Sequence, residues 1–274
     1  MNEFFGAWEL FRDPILAAVV AGAVLGWLGV FVVLRRMVFV TATVTQAAGL
    51  GVALAFFCHI HLSLHVPPVI GAVLVALAAA ALVSAPMEKL GLSRESGLAL
   101  VWLVGSGGAV LVGDRISQEA HDVASILLGT AVLVDPADLW AILVVGGLGF
   151  AAVFAAGRGL VFAGFDPDGA RVQGLPVRGL EFFLLAVIAL VASVATRALG
   201  ALPVFAFSVL PAMAALLVTP SLALAFPAAL VIGGASGFLG YLAAFVFEFP
   251  VGACQTMVAA SFVVAAVPLR LLRR

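Results

Sequence analysis

The residues of this chain that could do chemistry are few, and most sit at the edges of long apolar runs. Cys58-His-Ile-His-Leu-Ser-Leu-His65 holds three of the four histidines. In an extended segment His59 and His61, at i and i+2, point the same way, and His65 follows across a short turn. Neutral imidazoles are frequent ligands of zinc and related divalent ions. His59, His61 and His65 are therefore the candidate metal-capturing set, with solvated loop residues as the plainer alternative. His121 and Asp122 lie in another polar interval. Cys58 and Cys254 both fall near span ends; a disulfide and two separate apolar thiols are both open readings.

The longest polar interval is Phe165-Asp-Pro-Asp-Gly-Ala-Arg-Val-Gln-Gly-Leu-Pro-Val-Arg178. Asp166-Pro167-Asp168 is a helix start: an acceptor at the cap, proline in the first turn, and an acid near the positive end of the dipole. Gly174 and Pro176 are its stop. A loop that merely joined two spans would not need a capped helix, whereas a helix that presses on a partner would.

The chemistry that is absent narrows the class. There is no phosphate-binding G-x-x-x-x-G-K-[ST] and no Ser/His/Asp or Cys/His arrangement, so the chain reads as a non-enzyme. Its net charge of −1 argues against a nucleic-acid partner. Gly105-Ser-Gly-Gly108 lies inside an apolar run and reads as close helix packing.

The elements that must position these residues are membrane helices. Of the 274 residues 65% are hydrophobic and 10% charged, against roughly 25% charged in a soluble domain. Mean hydropathy is +1.28. Apolar runs near 20 residues recur throughout, and helices are the way to satisfy a backbone in lipid. Nine spans are expected, over 14–34, 38–57, 67–86, 97–113, 137–157, 179–198, 201–218, 222–247 and 251–269, in one all-α domain covering 1–274. The interval 125–134 is too short to cross and reads as a surface or re-entrant helix. With the N-terminus outside, ten of the thirteen Lys and Arg residues fall inside, which predicts an outside N-terminus and a cytoplasmic C-terminus. No cleavable signal is evident at the acidic N-terminal flank.

Within the spans, Thr41 and Thr45 share a helix face and Gln46 adjoins them, so they can line a polar path or bond neighbouring helices. Pro203 and Pro211 are expected to kink or break the seventh span, with Ser208 between them as a pathway candidate or a hydroxyl bonded to its own helix. Glu181 and Arg197 lie near the ends of the sixth span, where long side chains snorkel. Glu248, before Phe249-Pro250, reads as turn-forming.

Three stretches carry a resemblance. Gly29-Val-Phe-Val-Val-Leu-Arg-Arg-Met37, the 165–178 interval, and Val194-Ala-Thr-Arg-Ala-Leu-Gly-Ala-Leu-Pro203 with the later Leu210-Pro-Ala-Met-Ala214 occur in order along the chain. They resemble the membrane permeases of ABC importers for zinc, manganese or iron, the ABC-3 family. That resemblance implies a type II ABC importer-like helical bundle in the bacterial inner membrane. It implies a homodimer, two ATP-binding-cassette ATPase subunits that hydrolyse the ATP, and a periplasmic metal-binding protein. The helix at 165–178 would then be the coupling helix, with Asp166, Asp168, Ala170, Arg171 and Gly174 at the ATPase contact. One departure matters. Where family members carry D-x-x-x-H in the second span, this chain has Ala42 and Gln46. A methyl and an amide are poor replacements for a carboxylate and an imidazole. Hence three readings stand: import of a divalent metal ion, zinc or manganese first; import of a metal chelate or other cargo; and a non-transporting scaffold or receptor.

Overall fold

The structure is a computed structural model that describes residues 8–84, 93–116 and 134–272. His121, Asp122, Lys89, the two C-terminal arginines and nearly all of the helix expected over 125–134 lie outside the described residues. Among the described residues ten α-helices follow one another: α1 Trp8–Leu34, α2 Val38–Leu62, α3 Pro68–Ser84, α4 Arg94–Arg115, α5 Pro136–Phe165, α6 Pro167–Val172, α7 Val177–Leu199, α8 Ala201–Val218, α9 Leu222–Phe247 and α10 Val251–Leu272. The described residues contain no strand. Eight of the helices are long and apolar enough to cross a membrane. The ninth apolar helix, α3, has 17 described residues and runs to Ser84, the last described residue of its stretch. Each of the nine expected spans thus has its helix, α6 being the extra, short one.

Polar and apolar patterning could place the helices but not their ends. α2 runs five residues past the expected boundary and takes His59 and His61 into the helix, and α5 continues through Phe165. The helix stop at Glu248 is a left-handed residue, φ 57°, whose N–H donates to the Ala244 carbonyl, as the turn-forming reading requires.

Two layers of burial organise the bundle. α1, α2, α7 and α8 bury most of their length, while α4, α5, α9 and α10 leave most of theirs facing outward. α1 packs on α8 and α9; α2 packs on α3 and α4; α7 lies among α5, α3, α2 and α1 and joins the two groups. Trp27 and Phe31 of α1 meet Phe150 of α5 and Phe226 of α9, with Trp27–Phe150 ring centroids 4.5 Å apart.

Elsewhere the contacts are made by backbone. A Cβ on Gly22 or Gly233 would collide with the other's carbonyl, and one on Gly237 with the Ala18 carbonyl, so α1 and α9 touch main chain to main chain. In lipid, where burial against tails gives no hydrophobic gain between helices, such small-residue contact is a principal source of attraction.

Pro203 and Pro211 do not break α8, which is one continuous helix. Pro203 stands in its first turn, where the missing N–H has no helical acceptor anyway. Opposite Pro211 and Ser208, α1 presents Gly26 and Gly29, which leave room for the proline ring and the Ser208 carbonyl.

Candidate coupling site and translocation path

α6 is six residues long and hangs between the end of α5 and the start of α7. A segment so short holds its shape only if both ends are closed locally, and both are. The Asp166 carboxylate accepts the Gly169 N–H at 2.8 Å, with Pro167 in the first turn. At the other end Gly174 has φ +79°. Leu175 N–H donates to the Ala170 carbonyl and Gly174 N–H to the Arg171 carbonyl, each at 3.0 Å, the paired bonds of a glycine-stopped helix end. Arg171 and Asp168 form an exposed ion pair at 2.7 Å, worth little in stability.

The helix has two faces. Ala170 is fully buried against the bundle; a substitution there disturbs how the helix is seated. Asp168, Arg171 and Val172 are on the open face. Val172 is 89% exposed and Phe165 66%, two large apolar side chains presented beside a charged pair. Sequence reasoning named the charges and Ala170 but not Val172. Its signal was available as the one branched apolar residue within the six-residue helix.

The seat of α6 is tied to α1. Arg35, just past the end of α1, donates from Nη2 to the Leu160 carbonyl of α5 at 2.6 Å. Its Nε lies 3.2 Å from where a Cβ on Gly164 would stand. Burial lowers the Arg35 guanidinium from its ordinary value, and the charge of Glu181 on α7 pulls it back up. The guanidinium therefore stays charged.

The candidate path residues lie in the interior. Thr41 and Thr45 are 1% exposed, and each hydroxyl donates to its own helix, to Val38 and Ala42 carbonyls respectively. Ser208 is buried and donates to the Val204 carbonyl at 2.8 Å. Gln46 is half-buried where α4 crosses: a Cβ on Gly105 would meet Gln46 and Ala47 at 3.1 Å. Gly108 similarly faces Leu50, so these two glycines serve helix packing. These hydroxyls keep lone pairs that can accept but spend their protons on backbone, and no carboxylate or imidazole stands among them.

The histidines do not converge as an extended segment would have them. On a helix, i and i+2 are about 200° apart. His61 stacks on Phe57 with centroids 4.4 Å apart, while His59 meets His65 edge to face at 4.5 Å. His59 and His65 also line one cavity of about 400 Å³ with Ala55, Phe56, Val66, Pro67 and Pro68. Among the described residues no group of three or more His, Cys, Asp or Glu side chains is placed to hold a metal ion. Cys58 and Cys254 are both free and half-buried.

The buried ion pair of the bundle escaped the sequence. Arg197 in the last turn of α7 meets Asp138 in the first turn of α5 at 3.0 Å, with the Asp138 side chain 8% exposed. Each charge sits at the helix end whose dipole favours it. Arg197 is thus held by a partner rather than extended to the interface.

Comparison with known proteins agrees with this architecture. The chain is 26% identical over 249 residues to the manganese transport system membrane protein MntC of Listeria innocua, covering 90% of this chain and 86% of that one. It is 25% identical to the manganese import system permease protein ScaB of Streptococcus pneumoniae, covering 96% and 92%. Among solved structures, PsaBC from Streptococcus pneumoniae in complex with Fab superposes with a TM-score of 0.87 at 23% identity, over 98% of this chain and 97% of that one. The sequence profile of the ABC 3 transport family matches residues 7–270, which is nearly the whole chain, and the protein belongs to that family.

Proposed function

We propose that this chain is the membrane permease of an ATP-driven importer that moves a divalent transition-metal ion, manganese or zinc, delivered by a periplasmic binding protein. It works as a homodimer with two ATPase subunits, its N-terminus outside and its C-terminus cytoplasmic. The observation that carries this reading is α6: a helix capped at Asp166, stopped at Gly174, and offering Val172 beside Asp168 and Arg171 at one end of a lipid-embedded bundle. The end of the bundle that bears α6 also bears Arg35, Arg36, Arg158, Arg178 and Arg270, the charge bias expected of a cytoplasmic face. The relatives named for manganese supply the substrate class.

Ions enter at the opposite end past His59 and His65, which share a cavity, and then meet only neutral oxygens near Thr41, Thr45 and Gln46. Weak neutral sites suit a path from which the ion must also leave. Movement of α6, driven by ATPase closure, would switch access between the two ends.

The test is Val172→Asp, placed on the open face where it leaves the bundle packing untouched. Loss of one central contact of about 2 kcal/mol predicts ATPase co-purification down ~30-fold, with the permease itself still folded. Co-purification at the wild-type yield would remove α6 as the docking helix. Manganese(II) uptake by the reconstituted complex separates ion import from import of a chelate and from a scaffold that transports nothing.

A further inference from the structure

The docking helix touches little of the membrane bundle. α6 packs on α5 and α7, yet α5 faces mostly outward, and the tightly meshed half of the molecule is α1 with α8 and α9. A push on α6 can reach that half through α7, which joins the two groups, or through the end of α5 that lies beside the end of α1. We propose that Arg35 is the positioning residue that carries movement of the coupling helix into α1, resting on the reading of α6 as the ATPase contact.

Four observations support this. Arg35 follows directly on α1, so displacement of its guanidinium pulls on that helix. Its Nη2 donates to the Leu160 carbonyl, five residues before α5 ends and six before the Asp166 cap. The guanidinium also feels the charge of Glu181, in the second turn of α7, while its hydrogen bond is to α5. Gly164 gives it room: a Cβ there would stand 3.2 Å from Nε.

Arginine is suited to the task because its planar, always-charged fork holds a fixed geometry while bonding a carbonyl. Packing alone is a softer connection at this end. Phe31, Leu34, Leu160, Val161, Gly164 and Phe165 surround a cavity of about 30 Å³ beside Arg35, which is room enough for a water but leaves the walls out of contact. Deeper in the bilayer α1 meets α5 through Trp27 and Phe150. That contact lies several turns from the hinge at Asp166.

The proposal predicts a separation of docking from transmission. In the complex reconstituted with its ATPase subunits, Arg35→Gln should keep the ATPase bound and hydrolysing while manganese(II) moved per ATP falls about five-fold or more, the span of a typical coupling energy. Arg35→Lys, which keeps the charge toward Glu181 but loses the fork, should recover part of that ratio. Gly164→Ala should lower it in the same direction by pressing on Nε, and it decides the matter alone should Arg35→Gln fail to accumulate in the membrane. An unchanged ratio of transport to ATP in Arg35→Gln, or in Gly164→Ala where that variant alone is available, would overturn the proposal. So would loss of ATPase binding in Arg35→Gln, which would place Arg35 in docking or in the fold. Failure of the α6 reading has a different signature, a Val172→Asp permease that still holds its ATPase at full yield.

Discussion

The two ends of the bundle stop a helix in the same backbone conformation with different residues. At the end bearing α6, the stop is Gly174 at φ +79°; at the other end α2 stops at Ser63 with φ 53°, its N–H donating to the Cys58 carbonyl. Glycine adopts the left-handed region freely, while a residue with a Cβ is held there at a cost of roughly 1–2 kcal/mol. The stop of α6 is therefore unstrained, although at the same end the turn after α1 holds Arg36 at φ 56°. The histidine end accepts strain and leaves residues 59–65 exposed. On the proposed function, one end would transmit a push and the other would present side chains.

That contrast can be broken at either end. The largest effect is expected for Gly174→Val, which places a branched side chain where the backbone is left-handed; about 2 kcal/mol or more of local stability should go. A fall in ATPase co-purification and a lowered thermal transition of the solubilised permease would register it, and no change in either would mean that the stop is not needed. Next comes the pair His59→Ala with His65→Ala. Loss of a capture step of about 1 kcal/mol slows manganese(II) uptake roughly five-fold, whereas His61→Ala, removing the ring stacked on Phe57, leaves uptake alone. Equal effects of the pair and of His61→Ala would dissolve the distinction. The smallest effect belongs to Ser63→Gly. Relief of the left-handed serine, partly offset by glycine's greater freedom when unfolded, should raise stability by ~0.5 kcal/mol without touching transport. A destabilised Ser63→Gly would show that the serine hydroxyl, not its backbone, sets this turn.

Much of this was legible in the chain. Runs of about 20 apolar residues announced nine helices, because in lipid only helices and closed barrels satisfy the backbone and the chain lacks a barrel's alternation; Asp166-Pro167 with Gly174 announced α6, because cap and stop chemistry is local. The match to the ABC 3 transport family extends that reading from residue 7 to 270. What stayed hidden depends on contacts between distant residues. Arg35 reaches a carbonyl 125 positions away, and Arg197 finds Asp138 across two antiparallel helices; no spacing rule records either. The histidine geometry misled for a different reason. Phe56-Phe57-Cys-His-Ile-His61 is equally at home as the last turns of a helix or as an extended exit, and the helix sets His59 and His61 about 200° apart. Ala170 was legible as part of α6 but not as its buried face, since a six-residue polar helix has too few turns to show a period.

The backbone contact between α1 and α9 bears on how the protein is made. These two helices enter the membrane near opposite ends of synthesis, with most of the bundle inserted between them. Neither carries a charge or amide at the contact to mark its partner; Gly22, Gly233 and Gly237 mark it by leaving room. A slide of one residue along α9 would bring a side chain onto a carbonyl, so only one register lets the pair close. The pairing is thus recorded in each helix as a row without side chains, which has a use only once both helices are in the membrane.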